Sequence, residues 1–464
     1  MISWKKTPAL FVALLSFIGI GGAFYFPLLI FTFCTKRPLF WSIPLIFFLY
    51  VKVFYLPLPI EETGTAHFHI EEVKRHAGPV KTTWVYSGTL KTFHGKRKYT
   101  HVPVRIYLPL NTKRPLADTD YFLQGTLSKI STGHYLFKQT KKIEWIPIEK
   151  TSSLAEWRFA QKEKVKRWVT TRFKEKKVAT LLSALATGNL ESRYLAYHFN
   201  QVGLQHLLAI SGFHFALLSF FLAFFLKRIL PDKGMALVLI LLLSTYFFYM
   251  GGAPSISRAW IGVILYLIAL VFHLRPSPLN ALGVALLAAL LFDPLVITHI
   301  GFQLSFGATL GILLFYRLFN QKLEAFFPKR PYPLLKQMPF PSQCAYLLCN
   351  YLRSALALQG SVLIFTLPLL LFHFHTFPLA SLFYNLFIPL LFSILLALFL
   401  LHLDFFTAPF AHFLITLIEN APKKLLFSLT PLSTLLLILP FLTYIFMKKR
   451  SKVFPWIFKK KKSL

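Results

Sequence analysis

The sequence predicts a polytopic α-helical membrane protein with a small soluble β-barrel domain inserted near its N-terminus. Three observations predict it. Of the 464 residues, 55% are apolar, more than a soluble chain can hide, because soluble surfaces expose only small apolar patches. Apolar runs of about 18 or more residues with few charges recur, the length that crosses a bilayer. Between residues 61 and 150 the pattern changes to strict alternation, which marks strands with one face in a core.

Residues 1–60 read as membrane-embedded. The run 8–33 is long, a second run (39–57) follows at once, and no small-x-small site separates them, so it is not a cleaved signal peptide. Two spans, or three with breaks at Gly21-Gly22 and at 35–38, both fit. The two options put the following domain on opposite sides of the membrane. Charge does not choose between them, since Lys5-Lys6 and Lys36-Arg37 flank both ends of the first run.

Residues 61–150 form the β-domain. Val102, Val104, Ile106 and Leu108 alternate with Pro103, Arg105 and Tyr107, and Tyr121, Leu123, Gly125 and Leu127 repeat the period. Strands are also expected over 80–90 and 135–146, with turns at His94-Gly95, 109–115 and Thr132-Gly133. Short strands at regular spacing imply a small barrel or sandwich. Residues 151–178 have helical propensity and set basic residues beside Trp157, Phe159, Val165, Trp168 and Phe173, the pattern of a basic amphipathic helix on a charged membrane surface.

Residues 179–447 read as a membrane bundle, with apolar runs near 207–230, 235–251, 257–274, 279–292, 295–319, 355–373, 378–403 and 431–447. A Pro-rich basic loop is expected over 320–353, and 405–429 is expected to lie on the surface. The tail, 448–464, carries eight basic residues and no acidic one, which marks a cytoplasmic terminus.

The formal charge is +34, from 51 Lys+Arg against 17 Asp+Glu. Positive-inside loops and anionic lipid account for much of it. A polyanionic partner is the competing account. Residues 61–150 alone hold fifteen basic and eight acidic side chains, an excess that the fold does not require. The cysteines are Cys34, Cys344 and Cys349. The β-domain therefore has no internal disulfide, and neither Cys344 nor Cys349 has a His or acidic companion, so no metal and no cofactor is expected.

Polar groups at bilayer depth are costly unless paired or wet, so those in the bundle are the candidate site. His206, Ser211, Gly212 and His214 form one cluster. Helix-to-helix hydrogen bonding at a small-residue contact is its plain reading, and a Ser–His hydrolase lacks both a nucleophile elbow and a nearby carboxylate. Pro254, Ser255 and Arg258 follow an interrupted junction at Gly251-Gly252. Irregular backbone at that depth belongs where protein buries it or a cavity wets it. Arg258 suits a phosphate, or snorkels at a helix end. Asp293-Pro294 caps a helix, and Gly301, Gln303 and Ser305 follow it. Gln303 and Ser305 sit two apart, so only one can face a given pore. Asn385 precedes the helix-kinking Pro389.

The order of these motifs resembles the competence domain of the ComEC-type DNA-internalisation family. The resemblance runs through Ala186-Thr187-Gly188-Asn189, then 203–214, Pro254-Ser255-Ile256-Ser257-Arg258-Ala259, 278–282, Asp293-Pro294, 301–306, Leu367-Pro368-Leu369 and 385–389. It extends to the β-domain through 102–109 and 120–127, which look like the family's OB-like domain. Several short motifs in one order make it specific, and it covers about residues 1–447.

The resemblance implies a multi-pass channel of the bacterial cytoplasmic membrane that passes single-stranded DNA, and no enzymatic activity. OB folds bind single strands on a basic, aromatic face. Lys91, Phe93, Lys96, Arg97, Lys98, Tyr99, Arg105 and Tyr107, with Lys113 and Arg114 beside them, would gather the strand. His206, Ser211, Gly212, His214, Pro254, Ser255, Arg258, Gln303, Ser305 and Asn385 would line its path, and Asp293, Pro294, Gly301 and Pro389 would shape it. Many members continue into a metallo-β-lactamase-like domain with a His-x-His-x-Asp-His motif. This sequence has neither that motif nor a Gly-x4-Gly-Lys-Ser/Thr loop. A separate nuclease, a DNA receptor, and a motor or cytoplasmic strand-binding proteins are therefore expected partners, with a homo-oligomer possible. The rival readings are a transporter or scaffold for another anion (a lipid or polysaccharide precursor), a hydrolase using Ser211, and a structural subunit.

Overall fold

The structure is a computed structural model that describes residues 7–25, 28–29, 38–54, 61–77, 82–112, 114–131, 134–140, 145–151, 153–208, 212–275, 277–422 and 426–427. Ser211, Lys113, the apolar run 431–447 and the basic tail lie outside the described residues.

Helix α1 (Pro8–Phe24) starts on a proline at its first turn, where the missing N–H costs nothing. Helix α2 (Ser42–Phe54) follows a 3₁₀ turn over Pro38–Trp41. The Phe11 and Phe40 rings lie 5.1 Å apart, and a Cβ on Gly19 would fall 2.2 Å from the Pro44 carbonyl oxygen.

Six strands follow: β1 (Glu61–Ala77), β2 (Thr82–His94), β3 (Lys98–Pro109), β4 (Thr119–Ser131), β5 (His134–Gln139) and β6 (Ile146–Lys150). Their order is β1-β2-β3-β5-β4-β6, and β1 also pairs β4, so the first five close into a ring. All pairs are antiparallel except β3–β5. The strands inferred by alternation are present, and Ala66, Phe68, Leu90, Phe93, Val104, Ile106, Leu123, Leu127 and Phe137 fill the interior. Strand β1 was not expected. Its buried Ala66, Phe68 and Ile70 do alternate; the shift at 70/72 leaves Glu71 as an extra residue and breaks the period before Val73, while the shift at 67/68 leaves its extra residue, Lys91, on β2. Closure needs Gly88, where a Cβ would fall 2.0 Å from the His69 carbonyl oxygen.

Helix α3 (Ala155–Arg172) forms where the sequence places it. It buries Ala155, Lys162 and Val169 and packs against β1, α4 (Lys176–Thr187) and α8 (Asp232–Met250). Helices α5 (Arg193–Gln201), α6 (Gln205–Leu208) and α7 (Gly212–Leu226) precede α8, and α9 (Pro254–Val271), α10 (Pro278–Phe292) and α11 (Ile300–Leu323) follow it. Asp293 accepts from the Leu295 N–H at 2.9 Å and caps a 3₁₀ turn over Pro294–Thr298. A Cβ on Gly283 would fall 2.2 Å from the Leu10 nitrogen, so α10 and α1 meet backbone to backbone.

The expected loop over 320–353 is largely helical: α12 spans Tyr332–Gln337 and α13 spans Phe340–Phe374. Pro333 and Pro341, within the expected loop, instead stand in the first turns of α12 and α13, where Pro is tolerated. At 35 residues, α13 is about 50 Å long, well beyond a hydrocarbon core of about 30 Å. Helix α14 (Ala380–Leu400) contains Pro389, and α15 (Asp404–Glu419) packs its buried face on α4 and α5 and leaves Phe405, Phe406 and Phe413 exposed.

Five helices (α8, α9, α11, α13 and α14) are long and apolar enough to cross a membrane, and α1, α2, α7 and α10 are shorter apolar helices. No more than 28% of each long window is buried, which leaves the rest for lipid. The chain divides into two compact units, Met1–Phe306 with Phe387–Ala421, and Gly307–Leu386 with Pro422–Leu464.

Candidate nucleic-acid interface and membrane polar cluster

The β2–β3 turn carries Lys96, Arg97 and Lys98, all exposed. Glu62 accepts from the Lys96 backbone N–H and holds the turn in place. A groove of about 560 Å³ beside it is lined by Glu61, Glu62, Thr63, Lys96, Arg97, Tyr99 and Thr126. Two carboxylates share it, so it is mixed in charge. Tyr99 is half-buried; desolvation raises its pKa, and the neighbouring Glu62 adds to this. Arg105 and Tyr107 alternate with the buried Val104 and Ile106, so both project outward from β3.

Two expected strand contacts are placed elsewhere. Phe93 is 0% exposed, packed in the ring core beside Phe137, so it offers no face for a base. Lys91 is the extra residue of the β1–β2 bulge and pairs with Asp120 at 2.6 Å and Glu149 at 3.7 Å. Arg114 is likewise engaged, bound to Glu156 at 2.8 Å and lying over the Phe159 ring at 4.4 Å.

In the first unit the membrane helices gather Gly212, Arg258 and Ser305. Arg258 sits in the first turn of α9, which Pro254 opens. Its Nε donates to Ser305 Oγ at 2.9 Å. A Cβ on Gly212 would stand 2.7 Å from the Arg258 guanidinium, so the glycine makes room for it. Among the described residues no carboxylate pairs with Arg258. Gln303, two residues before Ser305, donates to the Ile297 carbonyl at 2.8 Å. His214 is buried on α7, and His206 Nδ1 lies 3.2 Å from the Gly203 carbonyl. Ser255 and Pro254 lie in the same turn as Arg258, and Gly301 N–H donates to His299 Nδ1 at 3.1 Å. Asn385 belongs to the second unit, on α14, and its Oδ1 is buried with no hydrogen bond among the described residues. Pro389 lies one turn further along α14, in the first unit.

Sequence reasoning missed the residues that tie α3 to the end of α8. Arg158 Nε donates to the Phe248 carbonyl at 2.8 Å, and Lys162 Nζ to the Met250 carbonyl at 3.0 Å. These are carbonyls of the last turn of α8, which has no helical donors left for them. Arg158 also reaches the Glu71 carbonyl at 3.3 Å, and Arg75 pairs with Glu163 at 3.3 Å, so the same helix holds the β-domain. Gly251 follows at φ 99°, a left-handed-region conformation that only glycine adopts freely.

The sequence model of competence proteins matches residues 185–449, more than half of the chain and the whole of this polar cluster. The chain belongs to the competence protein family. It is a multi-pass protein of the bacterial cytoplasmic membrane, by this membership and its five long apolar helices. Over 184 residues it is 30% identical to ComE operon protein 3 of Bacillus subtilis (strain 168). That stretch is 39% of this chain and 20% of the relative, so the competence chain matches only a part of that larger protein. No solved structure matches it.

Proposed function

We propose that this competence-family protein is the membrane channel through which single-stranded DNA enters the cell during natural transformation. The observation that carries the reading is Arg258, a guanidinium among apolar helices whose one described side-chain partner is the neutral Ser305 hydroxyl. A charge taken out of water without a counter-ion is costly, and a phosphate passing it would supply one. A single fixed cation among neutral donors also meets the requirement that a pore bind weakly enough to release. The exposed Lys96, Arg97, Lys98, Arg105 and Tyr107 of the β-domain supply the basic and aromatic groups that single-strand binding uses.

Topology supports the outer face for the β-domain. The α8–α9 junction and the N-termini of α7 and α9 share the end that α3 ties to the β-domain. The α7–α8 and α9–α10 turns lie at the opposite end and hold Lys227, Arg228, Lys233 and Arg275 against Asp232 alone. The near-end turns, 251–253 and 293–299, hold Asp293 and no Lys or Arg. The positive-inside bias of short loops makes the far end cytoplasmic.

The test is entry of labelled DNA into a nuclease-protected state in cells with the wild-type protein, a deletion or Arg258→Ala. Deletion should abolish protected DNA, and Arg258→Ala should cut it at least tenfold at normal protein level, the effect of about 1.4 kcal/mol of lost phosphate stabilisation. Unchanged protected DNA in the deletion would sink the channel reading and favour transport of another anion, such as a lipid or polysaccharide precursor.

A further inference from the structure

On the outer surface of the β-domain, four strands bring a histidine pair, two carboxylates and a lysine to one point. His67 and His69 alternate with the core residues Phe68 and Ile70 on β1, so both imidazoles face away from the core. Asp120 on β4 is 0% exposed, and both of its oxygens are engaged: Oδ2 by His67 Nε2 at 2.8 Å, and Oδ1 by His69 Nδ1 at 2.7 Å. Glu149 pairs with Asp120 across β4–β6 and projects its carboxylate into the same space. The β-bulge at 67/68 aims Lys91 there, and its ammonium sits 2.6 Å from Asp120 and 3.7 Å from Glu149.

We propose that His67, Asp120 and Glu149, with His69 as fourth donor or orienting partner, form a binding site for a divalent transition cation, zinc first. The ligand atoms of His67, Asp120 and Glu149 lie within 4.8 Å of one another. Donors about 2.0–2.2 Å from a tetrahedral zinc stand roughly 3.4 Å apart, so closure needs movement of about an ångström. Glu149 is 58% exposed on the short strand β6 and is free to make it. Imidazole and carboxylate together select zinc over magnesium or calcium, which take all-oxygen sets. Asp120 bonded to His69 would orient that ring, as carboxylates do beside metal-bound histidines.

The Lys91 ammonium is the position's built-in cation. It holds the carboxylates together, and a divalent ion replaces one positive charge with two. Lys91 is 39% exposed, so its flexible stem can carry the ammonium to water when the metal enters. Occupancy then leaves Lys91 facing solvent on the basic side of the domain. Neither the site nor this displacement depends on what the membrane helices transport.

The experiment is zinc chloride titration of the full chain in detergent micelles, by calorimetry with bound metal counted by mass spectrometry. The chain has 15 His and 3 Cys, so weak background binding is subtracted by variants. One high-affinity equivalent is expected in the wild type. Glu149→Gln and His67→Ala should each weaken it at least about tenfold, the scale on which such sites respond to lost partners. Lys91→Met should tighten it, because the competing ammonium is gone. Glu149 is an exposed side chain, so Glu149→Gln keeps the fold, checked by an unchanged melting curve. The proposal is overturned if the wild type takes up no high-affinity zinc, or if its uptake is the same in both ligand variants. It is also overturned if Lys91→Met weakens binding, since the lysine would then be a support for the ion and not its competitor.

Discussion

Phe93 and Tyr107 show how two aromatics in one basic domain come to opposite uses. Phe93 sits on β2 with its ring against Phe137 in the sealed interior, and Tyr107 sits on β3 with 43% of its surface in water. The expected outcomes differ accordingly. Phe93→Ala should cost about 3–5 kcal/mol of domain stability, the range for emptying an aromatic core site, read as a lower melting temperature. Tyr107→Ala should leave melting unchanged and weaken oligo(dT) binding to the full chain by about 1–3 kcal/mol, the worth of one base stacked on an aromatic. A loss of binding in which melting falls in parallel would count against Tyr107 as a stacking surface. Asp120 follows the same rule of surroundings. Burial alone would raise its pKa, but hydrogen bonds from Lys91, His69 and His67 outweigh this and lower it.

Helix α3 is the element that joins the two halves of the first unit. Beside the Gly251 N–H, which donates to the Phe247 carbonyl, its basic side chains satisfy the Phe248 and Met250 carbonyls at the end of α8. Lys162 is 9% exposed, and burial lowers its pKa to about 8, partly offset by Glu72. The unfolded lysine binds its proton up to about 10.4. Below about 8 both states are protonated and the cost of a buried cation is felt in full. Between about 8 and 10.4 the unfolded chain binds more protons, so stability should rise with pH across that window. Thermal midpoints of the wild type measured from pH 7.5 to 10 should show this rise, and Lys162→Met should flatten it. An equal slope in both proteins would mean that another group is responsible.

At the scale of the whole molecule, the prediction is a sidedness. In a background without Cys34, Cys344 and Cys349, Thr112→Cys on the exposed β3–β4 turn should react with a membrane-impermeant maleimide in intact cells. Lys233→Cys at the start of α8 should react only after the membrane is opened. The reverse pattern would put the β-domain in the cytoplasm and remove it from the path of an incoming strand. Both positions are exposed turn or helix-start residues of the first unit, so the labelling reads topology and not burial.

The membrane class, the helix runs from α7 to α11 and most of the β-domain were legible in the sequence, because apolar length and two-residue alternation are local signals. The Asp293 cap and the divergence of Gln303 from Ser305 were legible for the same reason: each depends on spacing of a few residues. In strand β1 the extra residue Glu71 breaks the period between Ile70 and Val73, and the start of α13 was hidden by prolines that a first helical turn accommodates. Tertiary structure alone decided the rest. Whether a lysine is a free phosphate contact or a counter-ion depends on carboxylates far along the chain, as Asp120 and Glu149 are from Lys91. The approach of Ser305 and Gly212 to Arg258 is likewise set by helix packing across long stretches of sequence. Composition and periodicity record what a residue prefers, and only the folded chain determines which groups are near enough to satisfy it.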